Sequence, residues 1–213
     1  MTTISSILRL VPLFVASALV VGCSTAPKTS AERVTLNDEA QTTLNRFKSQ
    51  DSTLDGVLSR SAGYAIFPTI GKGGLIVGGA YGRGTVYEGG KQIGYADMSQ
   101  GSVGAQIGGE SYSELIVFQT PEALFKFKNN NFTFGANATA VALSAGAAAG
   151  TEFKDGSAIF METKGGLMAD ASLAGQKFTF VPNSVANAPT TMTTDMKTTE
   201  TKETKTVETT PAR

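Results

Sequence analysis

The sequence predicts a mainly β chain with N-terminal helices, an α+β class in which a curled antiparallel sheet or small barrel carries its helices packed outside. Three observations predict it. Helix-spaced apolar residues are concentrated in about residues 31–60. From Gly63 to Val181, short runs with strand-like patterning follow one another between glycine-containing turns. The chain holds 24 Gly, 12 Phe and no Trp, which suits a glycine-rich sheet around a Phe-containing core.

The elements follow in order. Residues about 31–48 place Val34, Ala40, Leu44 and Phe47 at helical spacing, and a second helical piece at about 52–60 carries Leu54, Val57 and Leu58. No heptad persists, so these helices read as a cover for a sheet. Tyr64 to Phe67 reads as a strand ending at Pro68. In Gly74 to Tyr87 one face shows Leu75, Val77, Tyr81, Arg83 and Tyr87, the other Ile76, Gly78, Ala80, Gly82, Gly84 and Val86. A strand with one nearly bare face permits close approach of another backbone, or a sharp bend as the sheet rolls up. Glu88-Gly89-Gly90-Lys91 reads as a hairpin turn, because adjacent glycines accept positive φ. Ser102 to Glu110 repeats the bare face, and Leu115 to Phe118 reads as a strand buried on both faces. Thr120 and Pro121 start a short helix to about Lys128. Residues 132–149 are expected as strand despite their alanines. Asp155-Gly156 turns into Ser157–Thr163, Lys164-Gly165-Gly166 into Leu167–Leu173, and Ala174-Gly175 into Gln176–Val181.

The first 22 residues form a lipoprotein signal peptide. Leu8 to Val21 is almost continuously apolar yet shorter than the about 20 residues a spanning helix needs. It ends in Val20-Val21-Gly22-Cys23, which resembles the lipobox of bacterial lipoproteins, and the chain's only Cys stands where that motif puts the lipid-bearing residue. Lipid attachment is therefore expected at Cys23. Residues 23–30 read as a tether and 31–182 as one domain. Residues 183–213, Thr-rich and without aromatics, read as a disordered tail. Ser24 after the cysteine favours the outer membrane of a cell envelope, with the domain facing the periplasm.

Composition narrows the chemistry. The chain has no His, which removes imidazole-based metal sites and Ser-His-Asp or Cys-His machinery. The carboxylates Asp97, Glu110, Glu114, Glu152 and Asp170 match no metal or glycosidase spacing. Without Arg9 of the signal peptide, 17 basic side chains face 18 acidic ones, about −1, so no basic footprint for nucleic acid exists. The glycine clusters at 71–74 and 82–84 fit neither a P-loop nor a dinucleotide fingerprint, since both need a helix to follow. The reading is a non-enzyme with no cofactor and no metal.

Five ordered motifs carry a resemblance: Ala65-Ile66-Phe67-Pro68, GKGGLIVGGAYGRG at 71–84, GSVGAQIGGESYSELIVF at 101–118, FTFGANATA at 132–140 and KGGLMADASLAGQKF at 164–178. Over about 61–181 the chain resembles the SYLF domain family, which includes eukaryotic actin-patch and endocytic adaptors and bacterial lipoproteins. The resemblance implies lipid binding, especially to anionic or phosphorylated headgroups, and actin binding in the eukaryotic branch. Two departures stand out. The lysine-rich N-terminal helix of eukaryotic members is here a stretch with Arg33, Arg46 and Lys48 against Glu32, Asp38 and Glu39, and no SH3 or FYVE module is present. A periplasmic protein does not meet actin. The expected partners are membrane phospholipids and an envelope protein.

Candidate headgroup ligands are the cations beside glycines, Lys72 and Arg83, with Lys91 and Lys164 behind them. Phe67, Tyr81 and Tyr87 are candidates for apolar membrane or ligand contact. The competing expectation for Arg83 is an ion pair with a strand neighbour such as Glu110. The competing function is a periplasmic scaffold whose acyl anchor alone touches the membrane.

Overall fold

The computed structural model describes residues 27–74, 77–103, 109–132, 134, 140–164 and 175–187. The expected signal peptide, Cys23, the strand at 167–173, and the tail from residue 188 onward lie outside the described residues. So do Leu75, Ile76, residues 104–108 and most of 133–139.

Seven strands form one curled, open sheet, β1 Gly63–Gly74, β2 Val77–Glu88, β3 Lys91–Val103, β4 Gly109–Phe118, β5 Ala140–Ala142, β6 Ser157–Thr163 and β7 Lys177–Pro182. Their spatial order is β5-β6-β4-β1-β2-β3-β7. The α+β class is as the sequence predicts. Two details differ. β5 pairs with β6 in parallel, so the sheet is mixed, and β5 and β7 are edges, so it does not close into a barrel.

Helix α1 spans Ser30–Gln50 and α2 Leu54–Ser59. Thr29 caps α1 by accepting the Glu32 N–H at 3.1 Å. Leu36, Ala40, Leu44 and Phe47 of α1 are buried, and Ala40, Leu44 and Phe47 pack with Leu54 and Val57 against Ile66, Tyr87, Leu115, Val117 and Phe160 of the sheet. Val34, expected on this face, is instead 58 % exposed, and Leu36 takes its place. Each such Leu or Phe contributes ~1.5–3 kcal/mol by leaving water.

The other sheet face is built around phenylalanine. Phe67, Phe118, Phe132 and Phe178 meet Ile70, Ala80, Val86, Met98, Ile116 and Met161 there. Helix α3, Pro121–Lys128, closes this face with Ala123, Leu124 and Phe127, so helices cover both faces rather than one. Thr120 caps α3, accepting from Ala123 N–H at 3.2 Å, with Pro121 in its first turn, as expected.

β1 does not stop at Pro68. Its register with β2 and β4 shifts between Ile66 and Ile70, a bulge that accommodates the residue lacking an N–H. The Pro68 carbonyl accepts from Ser113 Oγ at 2.7 Å. The bulge also keeps Ala65, Phe67 and Ile70 in one cluster. The bare face of β2 is filled by this strand: a Cβ on Gly82 would sit 2.6 Å from Ile70 Cγ1, and one on Gly84 would sit 2.7 Å from Phe67 Cδ1.

Further expectations change in extent. Of 132–149, only Ala140–Ala142 is strand among the described residues, and residues 145–150 form turns. Of the stretch expected as one strand at 102–110, Ser102 and Val103 end β3 and Gly109 and Glu110 begin β4, and residues 104–108 lie outside the described residues. Asn183–Ala186, expected in the disordered tail, form a one-turn helix, α4. Among the described residues, no helix is long and apolar enough to cross a membrane.

Candidate functional site

The register of β1 and β2 places Arg83 opposite Thr69. Thr69 Oγ1 accepts a hydrogen bond from Lys164 Nζ at 2.6 Å. Two of the four expected headgroup cations thus meet at Thr69, Arg83 as its cross-strand partner and Lys164 through its hydroxyl. Beside them a cleft of about 520 Å³ opens between α1 and the sheet, lined by Glu32, Thr35 and Glu39 on the helix and by Thr69, Tyr81 and Arg83 on the strands. The bare backbone of Gly71 and Gly82 forms part of its wall.

Electrostatics in the cleft are mixed. Arg83 Nη1 lies 3.5 Å from Glu32 Oε2, and both side chains are solvent-exposed. Arg83 therefore pairs with the helix, whereas Glu110, the expected partner, stands opposite Lys72 on β4. Tyr81 is 44 % exposed and its hydroxyl donates to Asp97 Oδ1 at 3.3 Å. Lys164 has its ammonium held below the usual lysine range, first by burial and then by the Arg46 charge, against the opposing pull of Glu39 and Glu162. Arg46 is itself bound, with Nε 2.6 Å from Glu162 Oε2 and Nη2 3.1 Å from Ser113 Oγ.

The other expected residues fall elsewhere. Lys72 shares the strand face of Ile70 and Ala80, opposite to that of Tyr81 and Arg83. Lys91 begins β3 after the Gly89-Gly90 turn, at the other end of the hairpin. Phe67 is fully buried and tilts against Phe178 at 5.7 Å, so it is a core residue and offers no surface contact. Tyr87 is 6 % exposed, stacks on Tyr64 at 4.7 Å and accepts from Gln41 Nε2 at 2.7 Å. It serves packing beneath α1. Of the three aromatic candidates, Tyr81 alone reaches the surface. Cys23 lies outside the described residues.

Two carboxylates are buried with structural partners: Asp51, which sequence reasoning did not single out, and Glu114, which it weighed only as one of five acids without a metal or glycosidase spacing. Asp51 is fully buried and accepts from Thr53 and Ala148. Glu114 faces the phenylalanine cluster and accepts from Gln176 Nε2 at 3.2 Å. For Glu114 the signal was present but faint, a lone acid entering the apolar run to Phe118. Among the described residues, no three acidic or cysteine side chains gather as a metal site would need.

A protein-family model described as Ysc84, Las17-binding protein actin regulator, matches residues 99–190. Beta cell expansion factor A of Aeromonas veronii is 27% identical over 155 residues, which cover 71% of this chain and 59% of that protein. The chain thus spans less than two thirds of this curated relative. The motifs at 101–118, 132–140 and 164–178 fall inside the matched region, which begins well after the expected start at about 61. Over residues 99–190, less than half of the chain, the sequence is similar to this Ysc84 family, and those motifs carry the likeness.

Proposed function

We propose that this chain is a non-catalytic envelope lipoprotein, anchored through lipid on Cys23, whose SYLF domain binds phospholipid or an anionic membrane surface. The family supports the coarser part, since its domains are binding and adaptor modules for lipids or actin-related partners. The observation that carries the finer part is the grouping of Arg83 and Lys164 about Thr69, at the edge of a cleft that also exposes Tyr81. Arg holds a phosphate through its planar fork and Lys as a point charge, while a half-exposed Tyr suits the polar–apolar boundary. With equal numbers of acidic and basic residues over the chain, 18 each, the attraction is local and therefore salt-sensitive.

The anchor follows from Val20-Val21-Gly22-Cys23. One acyl chain binds membranes marginally and two or three bind stably, so diacylglyceryl transfer followed by N-acylation would hold the chain at the outer membrane. Mass spectrometry of the purified protein should find Cys23 acylated at the new N-terminus.

The domain's own affinity is tested on the chain from Ser24 onward, made without lipid. It should co-sediment at low salt with vesicles containing phosphatidylglycerol or cardiolipin. An Arg83→Ala, Lys164→Ala double variant should lose most of that binding, and Lys72→Ala should keep more of it. Absence of binding at low salt would leave the scaffold reading, in which the anchor alone meets the membrane.

A further inference from the structure

We propose that the first turn of α1, together with Tyr81 and Arg83 of β2 and the short helix α4, is the face that lies against the bilayer in which the chain is anchored. This rests on the reading of Cys23 as the lipidated residue.

The argument is one of reach. Pro27 follows Cys23 by four residues, and a fully extended chain covers at most ~3.3–3.6 Å per residue, so Pro27 stands within about 14 Å of the anchor. From Pro27 onward the backbone is fixed to the domain. Arg33 Nη1 donates to the Pro27 carbonyl at 3.2 Å, to Lys28 at 3.4 Å and, across the molecule, to Ala186 of α4 at 3.0 Å. The Lys28 N–H donates to Glu32 Oε2 at 3.0 Å. The slack between membrane and domain is therefore only the few residues before Pro27, and Arg33 pins both the entering chain and α4 to one corner.

That corner has the surface a bilayer boundary takes up. Four large apolar side chains are exposed among the described residues: Val34, Tyr81, Phe125 and Val185. Three of them surround the corner. Val34 follows Arg33, Val185 precedes the Ala186 whose carbonyl Arg33 holds, and Tyr81 lines the cleft that Ala31 and Glu32 also line. The fourth, Phe125, sits on α3, which packs on the opposite sheet face. Lys28, Arg33 and Arg83 bring positive charge to the same corner, with Glu32 and Glu39 as the opposing acids. With Pro27 no more than about 14 Å from the anchor, this corner can be brought up to the headgroups, where an anionic surface acts on such cations over a Debye length of about 8 Å at physiological salt.

The test uses the full lipoprotein in vesicles of phosphatidylethanolamine and phosphatidylglycerol. Single cysteines are introduced by Val34→Cys, Val185→Cys and Phe125→Cys, each labelled with an environment-sensitive fluorophore and challenged with headgroup-quencher lipids. Labels at 34 and 185 should be quenched severalfold more than the label at 125. Equal quenching at the three positions, or strongest quenching at 125, overturns the proposal. The mass of Cys23 in the same samples separates the two ideas. An acylated Cys23 with unquenched labels at 34 and 185 leaves the anchor standing and removes this orientation. An unmodified Cys23 removes the anchor and this orientation with it.

Discussion

Gln176 reaches from the start of β7 to donate its amide to Glu114 Oε2 at 3.2 Å, although β7 and β4 are not neighbours in the sheet. The pair is fully enclosed. Glu114 is 0 % exposed and Gln176 2 %, and among the described residues Glu114 Oε1 and Gln176 Oε1 find no hydrogen-bond partner. Burial pushes the Glu114 carboxyl up to about 7 from an ordinary 4.5, against the opposing Gln176 bond. Tyr112 beside it is also pushed up, by burial and by the Glu114 charge.

A pH dependence follows. Because the folded value lies above the unfolded one, the unfolded chain releases this proton first as pH rises. The stability tied to Glu114 is full below about 4.5 and declines until about 7. Glu114→Gln removes the titration, and should raise stability at pH 8 relative to the wild type by roughly 1–3 kcal/mol while leaving pH 4 nearly unchanged. Urea unfolding at both pH values measures the difference. A variant that is equally destabilised at both would show that packing, and not charge, governs the site.

Gly82 offers a steric prediction. A Cβ there would meet Ile70 Cγ1 at 2.6 Å, Thr69 O at 3.0 Å and Ile70 Cα at 3.2 Å. Two of these neighbours are backbone and cannot swing aside. Gly82→Val should lower stability by roughly 1–3 kcal/mol or more, whereas Gly71→Ala, whose Cβ would meet nothing within 4 Å, should be near neutral. Thermal melting of the two variants side by side makes the comparison.

These two sites show what the sequence discloses and what it withholds. The alternation of Gly82 and Gly84 with Tyr81 and Arg83 marked a bare strand face, and the structure fills it with Ile70 and Phe67. The turns at Gly89-Gly90 and Asp155-Gly156 were legible because positive φ singles out those residues. Which face each aromatic would take was less legible. Phe67 and Tyr81 both flank glycine-rich segments, but the Pro68 bulge turns register, and with it burial, in a way that strict alternation does not foresee. The pairing of Arg83 with Glu32 depends on how α1 crosses the sheet, and the meeting of Lys164 with Thr69 joins residues 95 positions apart. Neither has a local signal.

The Arg83–Glu32 pair gives a test of the cleft. Bound to Glu32, the guanidinium must exchange a carboxylate for a headgroup phosphate. At 3.5 Å and exposed, the pair is weak, and such pairs are worth ~0–1 kcal/mol. Glu32→Gln retains an acceptor for the Lys28 N–H and removes the competing charge. It should strengthen vesicle binding by a few-fold at low salt, with the gain vanishing at high salt. Unchanged or weaker binding at low salt would exclude Arg83 as a headgroup ligand.

Asp51 carries the last prediction. It ends α1 and is 0 % exposed, yet its carboxylate is fully used. Oδ1 accepts from Thr53 N–H at 2.9 Å and Thr53 Oγ1 at 2.6 Å, and Oδ2 accepts from the Ala148 N–H at 2.6 Å. Thr53 Oγ1 in turn accepts from Ala149 N–H at 3.1 Å, so one side chain ties the α1–α2 corner to the turn after β5. Burial alone would raise its pKa, but the bonds from Thr53 and Ala148 outweigh that and hold it below the ordinary 3.8. Its contribution is therefore present above about 3.8 and is lost as pH falls through the lower folded value. Asp51→Ala leaves the Thr53 and Ala148 donors without their acceptor and should lower stability by on the order of 3 kcal/mol at pH 7. Asp51→Asn keeps an acceptor for one of them, and should lose less. Hydrogen exchange should localise the damage, with faster exchange at Ala148 and Ala149 and at the α1 C-terminus. An Asp51→Ala variant as stable as the wild type at pH 7 would mean that this bridge holds nothing together.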